Sequence, residues 1–111
     1  MRILAIEREL SAAVHPVPRE TLHDEAAAVW ALMKRDIVRD LWFTADHHRA
    51  VLMLECRNAG EAGQHLAGLP LVRSGHADFT LLELHPYDGF ERLFTHEVVA
   101  AMPKREPPPE Y

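Results

Sequence analysis

Three carboxylates interrupt strand-like apolar segments of the sequence and could carry acid–base chemistry. Glu7, Glu55 and Glu83 each alternate with apolar neighbours, so each could lie on the wall of an apolar cavity. A carboxyl group buried in such a cavity has a raised pKa and can act as a general acid or base near neutral pH. Because Asp and Glu are rarely buried without a partner, the alternative is that these side chains lie at strand ends in water.

Arg39 is the cationic side chain that best suits an anionic ligand, because it lies in a strand-like stretch that also contains the apolar Val38, Leu41 and Trp42. Its guanidinium could bind a substrate carboxylate through two parallel hydrogen bonds. It could equally form a structural ion pair with Asp40, Glu55 or a second subunit, so the charge alone does not mark a site.

Eight histidines are many for 111 residues, but their spacing predicts no metal site. His47 and His48 are adjacent in a turn, where neighbouring side chains point apart, and neither an HExxH motif nor a Cys/His cluster occurs. His23 is a candidate acid or base, or lies on a solvated helix face. Asp78 could orient a histidine or cap a turn. Cys56 ends an apolar strand and is interpreted as a core residue. We therefore expect neither a metal nor a cofactor.

The composition predicts an ordinary globular domain, with 48% hydrophobic and 26% charged residues. A net charge of −5 argues against nucleic acid or an anionic membrane as a partner, since both require a basic face. No apolar run approaches the ~20 residues of a membrane span, no signal peptide is recognisable, and the single cysteine fits a reducing cytoplasm. We expect one cytoplasmic domain over residues 1–102, followed by a proline-rich tail at 103–111.

The predicted fold is organised around residues 38–56. The pattern of this stretch predicts two strands, 38–44 and 50–56, joined by a polar turn at 46–49. Both faces of this hairpin are largely apolar, so we expect it to be covered on both sides. The chain's own helices can cover one side. A ligand or another copy of the chain must cover the other.

Further strands are predicted at residues 2–10 and 76–84, and helices at 19–36, after Asn58, and beyond Asp88. Asn58 with Glu61, and Asp88 with Glu91, resemble capping boxes. The first helix is predicted to bury one apolar stripe, formed by Leu22, Ala26, Val29, Trp30 and Met33. The third helix would present an apolar cluster at a subunit contact, formed by Phe90, Leu93 and Phe94.

The order β-α-β-β-α-β with an extra C-terminal helix predicts an α+β, ferredoxin-like fold with a four-stranded antiparallel sheet in the order 4-1-3-2. We assign one set of strand residues to the helices: Leu4, Ile6, Leu52, Leu54, Leu82 and Leu84. The opposite face would form a cavity wall, carrying Ile3, Ala5, Glu7, Val51, Met53, Glu55, Phe79, Leu81 and Glu83. Such an exposed apolar face predicts a homodimer whose two sheets face each other.

Several short motifs give the sequence a resemblance to muconolactone delta-isomerase, a small dimeric α/β-barrel enzyme of aromatic catabolism. They are Arg39-x-Leu41-Trp42, Ala45-x-His47, Leu69-Pro70-Leu71, Asp24-Glu25, Asp78 and His85-Pro86, and together they span about two thirds of the chain. The resemblance implies a dimeric α/β barrel and a larger assembly built from dimers. Where that family has a His and a Lys in the first strand, this chain has Ile3-Leu4-Ala5-Ile6-Glu7, and its segments after Leu71 and Gly89 are longer.

The expected function is a cofactor-free isomerisation that shifts a proton in a small unsaturated carboxylate or lactone. The expected catalytic residues are Glu7, His23 and His47, and the expected substrate-binding residues are Arg39, Trp42, Asp78 and His85. The alternatives are a non-catalytic protein that binds a small hydrophobic ligand or serves assembly, and a cofactor-free cyclase or monooxygenase, or haem partner, of the same superfamily. Fold alone cannot choose among these.

Overall fold

A computed structural model describes residues 1–10 and 16–94 of the chain. The strands are β1 (Arg2–Glu9), β2 (Val38–Phe43), β3 (Ala50–Glu55) and β4 (Ala77–Leu84). The helices are α1 (Arg19–Lys34), α2 (Ala59–Ala67) and the single turn α3 (Pro70–Arg73), and a 3-10 helix follows at Gly89–Leu93. The strands form one antiparallel sheet in the order β2-β3-β1-β4. The predicted α+β, ferredoxin-like arrangement and its strand order are therefore confirmed.

Helix α2 begins where the sequence predicts it, because Asn58 is its N-cap. The Asn58 side chain accepts a hydrogen bond from the Glu61 backbone N–H over 2.9 Å. Glu61 in turn accepts from the backbone N–H of Arg57 over 3.0 Å, one residue before the position that a capping box would use. Both contacts satisfy donors that the first turn would otherwise leave unpaired.

The core lies between the sheet and the helices. Its central strand residues are Ile3, Ala5, Val38, Leu52 and Leu54, and the helices contribute Leu32, Ala62 and Leu66. Cys56 is also buried in this cluster, as expected, and burial raises the pKa of its thiol. Burial of these side chains stabilises the fold by about 25 cal/mol for each Å² of apolar surface removed from water.

The predicted strand faces are correct for β3 and wrong for β1 and β4. Ile3 and Ala5 pair with the buried Leu54 and Leu52, so they face the helices, and Leu4 faces the other way. Likewise Phe79 and Leu81, rather than Leu82 and Leu84, pack against the core. The reason is that both faces of these strands are apolar, so alternation alone carries no signal for which face is covered.

The predicted stripe of α1 is correct only in part. Val29 and Met33 pack against the core, but Leu32 is the buried residue of this helix. Leu22 and Trp30 are instead 50% and 60% exposed, and Lys34 Nζ lies 5.6 Å from the centre of the Trp30 ring. The helix is therefore rotated relative to the predicted stripe, with its small Ala28 turned toward the core.

The segment after β4 differs from the predicted third α-helix. It forms a 3-10 helix at Gly89–Leu93, and Asp88 makes no side-chain capping bond to it. Tyr87 and Phe90 are exposed and meet edge to face, 4.9 Å between ring centres. The remainder of that predicted helix and the boundary at 102/103 lie outside the described residues.

The face of the sheet opposite the helices is largely apolar, and the described residues leave it uncovered. Strand pairing places on it Leu4, Ile6, Trp42, Val51, Met53, Leu82 and Leu84. Leu82 is 46% and Trp42 54% exposed. A contiguous apolar surface of this kind marks an interaction surface. Within residues 1–10 and 16–94, no helix has the length and hydrophobicity needed to cross a membrane.

Candidate active site

A cleft of about 370 Å³ opens at one end of the sheet, on the side of the helices. It lies where β1 ends and where β3 and β4 begin, because antiparallel pairing brings these strand ends together. Its polar lining consists of Glu7, Glu9, His47, His48, Arg49 and His76, and its apolar lining of Pro16, Val17, Leu71 and Ala77. The size and the convergence of charged groups suit a small polar ligand.

Glu7 reaches the cleft from β1. It is partly buried, on the same face of the strand as Ile3 and Ala5, and its Oε1 accepts a hydrogen bond from the backbone N–H of Ala50 over 2.8 Å. Its other oxygen, Oε2, makes no hydrogen bond within the described part of the chain. One oxygen therefore anchors the carboxylate, and the other is available to a ligand.

Glu25 on α1 is a second carboxylate near this end of the sheet. Its Oε1 accepts a hydrogen bond from the backbone N–H of Leu71, which lines the cleft, over 2.9 Å. Burial raises the pKa of Glu25 and the negative charge of Glu7 raises it further, whereas the bond from Leu71 opposes both. The negative charges of Glu7 and Glu25 thus repel each other, so that ionising both carboxylates costs free energy.

The turn between β2 and β3 supplies a polar wall. Asp46 Oδ1 accepts from the backbone N–H of His47 over 2.6 Å, and this bond is the main reason that the pKa of Asp46 is lowered. His48 has a left-handed backbone with φ of 54°, and its ring stacks on Phe43 at 3.9 Å between ring centres. Arg49 then closes the hairpin, because its N–H donates to Thr44 Oγ1 over 3.0 Å and its C=O accepts from Thr44 N–H over 2.8 Å.

His76 forms part of the cleft wall just before β4. Its Nδ1 lies 2.6 Å from Ser74 Oγ, a hydrogen bond that holds the imidazole in one orientation. A ring held through one nitrogen presents the other for proton transfer.

No group of three His, Cys, Asp or Glu side chains among residues 1–10 and 16–94 is arranged to hold a metal ion.

Of the seven side chains expected in the site, the structure brings Glu7 and His47 together in the cleft. His23 is 83% exposed on α1, beside Asp24. Arg39 donates from Nε to the Asp36 carbonyl over 2.7 Å. It lies toward the opposite end of the sheet, where its charge contributes to lowering the pKa of Glu55.

The other three expected residues lie apart from the cleft. Trp42 is on the uncovered face of the sheet, paired with Val51. Asp78 forms an ion pair of 3.0 Å with Arg8 on that same face. His85 is exposed and follows β4 at its far end. The binding role of these three residues stays a prediction.

Glu55 and Glu83 do not form a cavity wall with Glu7. Glu55 is at the opposite end of the sheet, where Oε2 lies 2.7 Å from the amino group of Met1, and this contact lowers the pKa of Glu55. Glu83 accepts from the backbone N–H of Ala59 over 3.3 Å, at the start of α2. Both therefore have structural partners at strand ends.

Sequence reasoning assigned no role in the site to Arg49, His76 or Glu25, although Glu25 belongs to the Asp24-Glu25 motif of the family resemblance. A signal for Arg49 was present, because it is the last polar residue of the turn before an apolar strand. Glu25 would have been found from the observed buried positions of α1, since it lies seven residues before Leu32 and so shares its face. His76 carried no distinguishing signal among the eight histidines.

Comparisons with proteins of known structure agree with this architecture. Muconolactone isomerase superposes with a TM-score of 0.61 at 20% identity, over 79% of this chain and 94% of the other. The 5-chloro-2-hydroxyhydroquinone dehydrochlorinase of Burkholderia phenoliruptrix, in complex with 2,5-dihydroxybenzoquinone, gives 0.57 at 12% identity, over 80% of this chain and 98% of the other. Neither a protein-family model nor a curated protein matches the sequence. At these identities the likeness establishes the fold alone, and the chain has the fold of muconolactone isomerase.

Proposed function

We propose that this protein is a cofactor-free isomerase that shifts a proton within a small unsaturated carboxylate or lactone. The observation that carries the proposal is Glu7 in the cleft, with one carboxylate oxygen anchored by Ala50 and the other without a hydrogen bond to the described residues. An anchored carboxylate with one open oxygen is suited to remove a proton from a bound substrate.

In the proposed reaction, Glu7 removes a proton from a carbon whose C–H bond is conjugated with a carbonyl group, either next to that carbonyl or across an intervening C=C bond. The electron pair of that C–H bond moves into the conjugated system and forms an enolate. A proton is then returned at the other end of that system, by Glu7 or by His47, so that one double bond changes place and no co-reactant is consumed. Donors that face the developing negative charge would stabilise it, and His47 and His76 line the same cleft.

The structural neighbours support a reaction of this class. One is named for isomerising muconolactone, and the other for removing hydrogen and chlorine from a chlorinated hydroxyhydroquinone. Both names denote reactions on small cyclic molecules, an isomerisation in one and a dehydrochlorination in the other. Muconolactone and related unsaturated lactones are therefore the first substrates to test. We place the protein in aromatic catabolism by this analogy alone.

The test is a spectrophotometric assay of the purified protein on muconolactone and related lactones, with the Glu7→Gln variant beside it. Loss of the carboxylate should lower kcat about 10²- to 10⁴-fold, the usual contribution of a general base. Glu20→Gln, on the exposed first turn of α1, is the matched control and should retain activity. No turnover of any lactone by the unaltered protein would remove the substrate claim.

The second candidate is a non-catalytic protein that binds a small ligand. It is favoured by the first strand, where Ile3-Leu4-Ala5-Ile6-Glu7 replaces the polar residues of the isomerases that the sequence resembles. Native mass spectrometry of freshly purified protein separates the two, because a retained small molecule that the protein never converts supports binding. Oxygen consumption with phenolic substrates would instead indicate the monooxygenase alternative.

We further propose that two copies of the chain pack with their uncovered sheet faces together. The uncovered face carries one of Leu4, Trp42, Met53 and Leu82 on each of its four strands, and burying such side chains contributes about 1.5–3 kcal/mol each before association costs. A higher assembly would use further exposed apolar side chains, among them Trp30 and Phe43. The single cysteine supports a cytoplasmic location for this assembly.

A further inference from the structure

Arg49 lines the cleft, and its one anionic contact among the described residues is a long ion pair with Asp46. Asp46 Oδ2 is the nearest carboxylate oxygen in the described residues, 3.9 Å from Nη2, which is beyond hydrogen-bond distance. The side chain makes no hydrogen bond to the described residues, although its own backbone is bonded to Thr44 on both sides. The cation is therefore held at the rigid end of the hairpin, and within the described residues its charge is balanced only by this long contact with Asp46.

The exposed part of Arg49 is its terminal group. The side chain is 42% exposed, whereas Nε is closed off from solvent and has no hydrogen-bond partner in the described part of the chain. A ligand would consequently meet the two terminal nitrogens, Nη1 and Nη2. These two donors form a planar fork that matches the two oxygens of a carboxylate.

The surroundings of Arg49 limit what can bind. Glu7 and Glu9 line the same cleft, so an anion is repelled wherever it approaches their side of the cleft. A substrate with a carboxylate at one end and an uncharged reactive part at the other avoids this repulsion, because its charge can lie on Arg49 while its uncharged part faces Glu7. A substrate with two separated carboxylates could not avoid it.

We propose that Arg49 is the residue that binds the substrate carboxylate and selects monocarboxylates, with the uncharged end turned toward Glu7. This inference rests on the proposed function, because it assumes that the cleft is the substrate site. It also reassigns the role that the sequence suggested for Arg39, which lies toward the other end of the sheet.

The experiment compares muconolactone with its methyl ester, which has the same ring but no negative charge. Isothermal titration measures binding of both to the intact protein and to Arg49→Ala, Arg49→Lys, Arg39→Ala and Arg73→Ala. Arg73, exposed at the end of α3, is the matched control. Loss of hydrogen bonds to a charged group, about 1.5–3 kcal/mol, corresponds to a loss of about 10- to 150-fold in affinity.

The expected result is a loss of that size for the acid in Arg49→Ala, a smaller loss in Arg49→Lys, and no change in the affinity for the ester. Arg39→Ala and Arg73→Ala should bind both ligands as the unaltered protein does. The proposal is overturned if Arg49→Ala binds the acid normally, if acid and ester lose affinity equally, if Arg39→Ala shows the selective loss instead, or if the unaltered protein binds no acid at millimolar concentration.

Binding and turnover separate this inference from the proposed function. Selective loss of acid binding in Arg49→Ala, in a protein that converts no lactone, supports the role of Arg49 and rejects the isomerase. Turnover that Arg49→Ala leaves unchanged in both kcat and KM supports the isomerase and rejects the role of Arg49. Thermal unfolding of each variant confirms that the hairpin remains folded.

Discussion

A hydrogen bond between Glu25 and Leu71 joins helix α1 to α3, the single helical turn that follows α2. The backbone N–H of Leu71 donates to Glu25 Oε1 over 2.9 Å, and Leu71 itself lines the cleft. The contact ties α1 to α3 at the rim of the candidate site. It also places a partly buried carboxylate within the electrostatic influence of Glu7.

We expect Glu25→Gln to stabilise the protein at neutral pH. Burial raises the pKa of Glu25 above 4.5 in the folded state, so the folded protein binds this proton more tightly than the unfolded chain does. The free energy of unfolding therefore falls as the pH rises through 4.5 to the folded-state pKa. Glutamine removes the charge and keeps an oxygen that can accept from Leu71.

Thermal unfolding across this pH range checks the prediction. The midpoint of Glu25→Gln should exceed that of the unaltered protein at neutral pH, and the difference should narrow as the pH is lowered through 4.5. Glu20→Gln, exposed on the same helix, should show no such pH-dependent gain. A Glu25→Gln variant that is less stable at neutral pH would mean that the charge itself is needed.

Replacing Leu82 by aspartate should convert an oligomer into monomers. Leu82 is 46% exposed on the uncovered sheet face, so a single chain should tolerate the change, whereas a facing sheet would have to bury the new charge. Leu22→Asp, 50% exposed on α1, is the matched control and should leave the dimer intact. Light scattering at micromolar concentration measures both. A monomeric unaltered protein would reject the facing-sheet dimer.

The segment after Tyr87 gives a separate test of assembly. Phe90, Leu93 and Phe94 are exposed in the single chain, so a subunit contact would have an apolar surface to bury here. A chain ending at Tyr87 should therefore form smaller assemblies in the same light-scattering experiment. If the truncated chain forms the same oligomer, the segment has no part in assembly, and the facing-sheet contact is unaffected.

Asn58→Ala should lower the free energy of unfolding by about 1 kcal/mol, the usual value of an N-cap. The alanine cannot accept from the Glu61 N–H, which the Asn58 side chain holds at 2.9 Å. Asn58→Ser keeps an acceptor and should recover most of the loss. Urea unfolding measures the difference in the free energy of unfolding, provided that the dependence on urea concentration is the same in both proteins. If Asn58→Ala is as stable as the unaltered protein, the contact between Glu61 and Arg57 is sufficient to hold the first turn.

The sequence predicted the order of the elements because their signals are local. Each strand is bounded by polar turns, and Asn58 marks the start of α2 as expected. The faces of β1 and β4 could not be predicted, because Leu4 and Leu82 are as apolar as Ile3 and Leu81, and their environment depends on packing between distant elements.

That error affected the site more than the fold. Because the two faces of β1 were exchanged in the prediction, Glu7 was expected on the open face of the sheet. It lies instead on the face that the helices cover, where it lines the cleft together with Arg49 and His76. Their proximity arises from tertiary pairing of strand ends that are far apart in the sequence. The resemblance to muconolactone isomerase indicated Arg39 and Trp42, and their positions provide no test of that role.

Proton nuclear magnetic resonance of muconolactone in D2O tests most directly whether the cleft moves a proton at Glu7. With the unaltered protein we predict that the lactone is converted to its isomer, or that its acidic C–H signal is lost by exchange with solvent. In Glu7→Gln both should slow about 10²- to 10⁴-fold, while Glu20→Gln behaves as the unaltered protein. Equal rates in the unaltered protein and Glu7→Gln, or neither conversion nor exchange with the unaltered protein, would contradict the account.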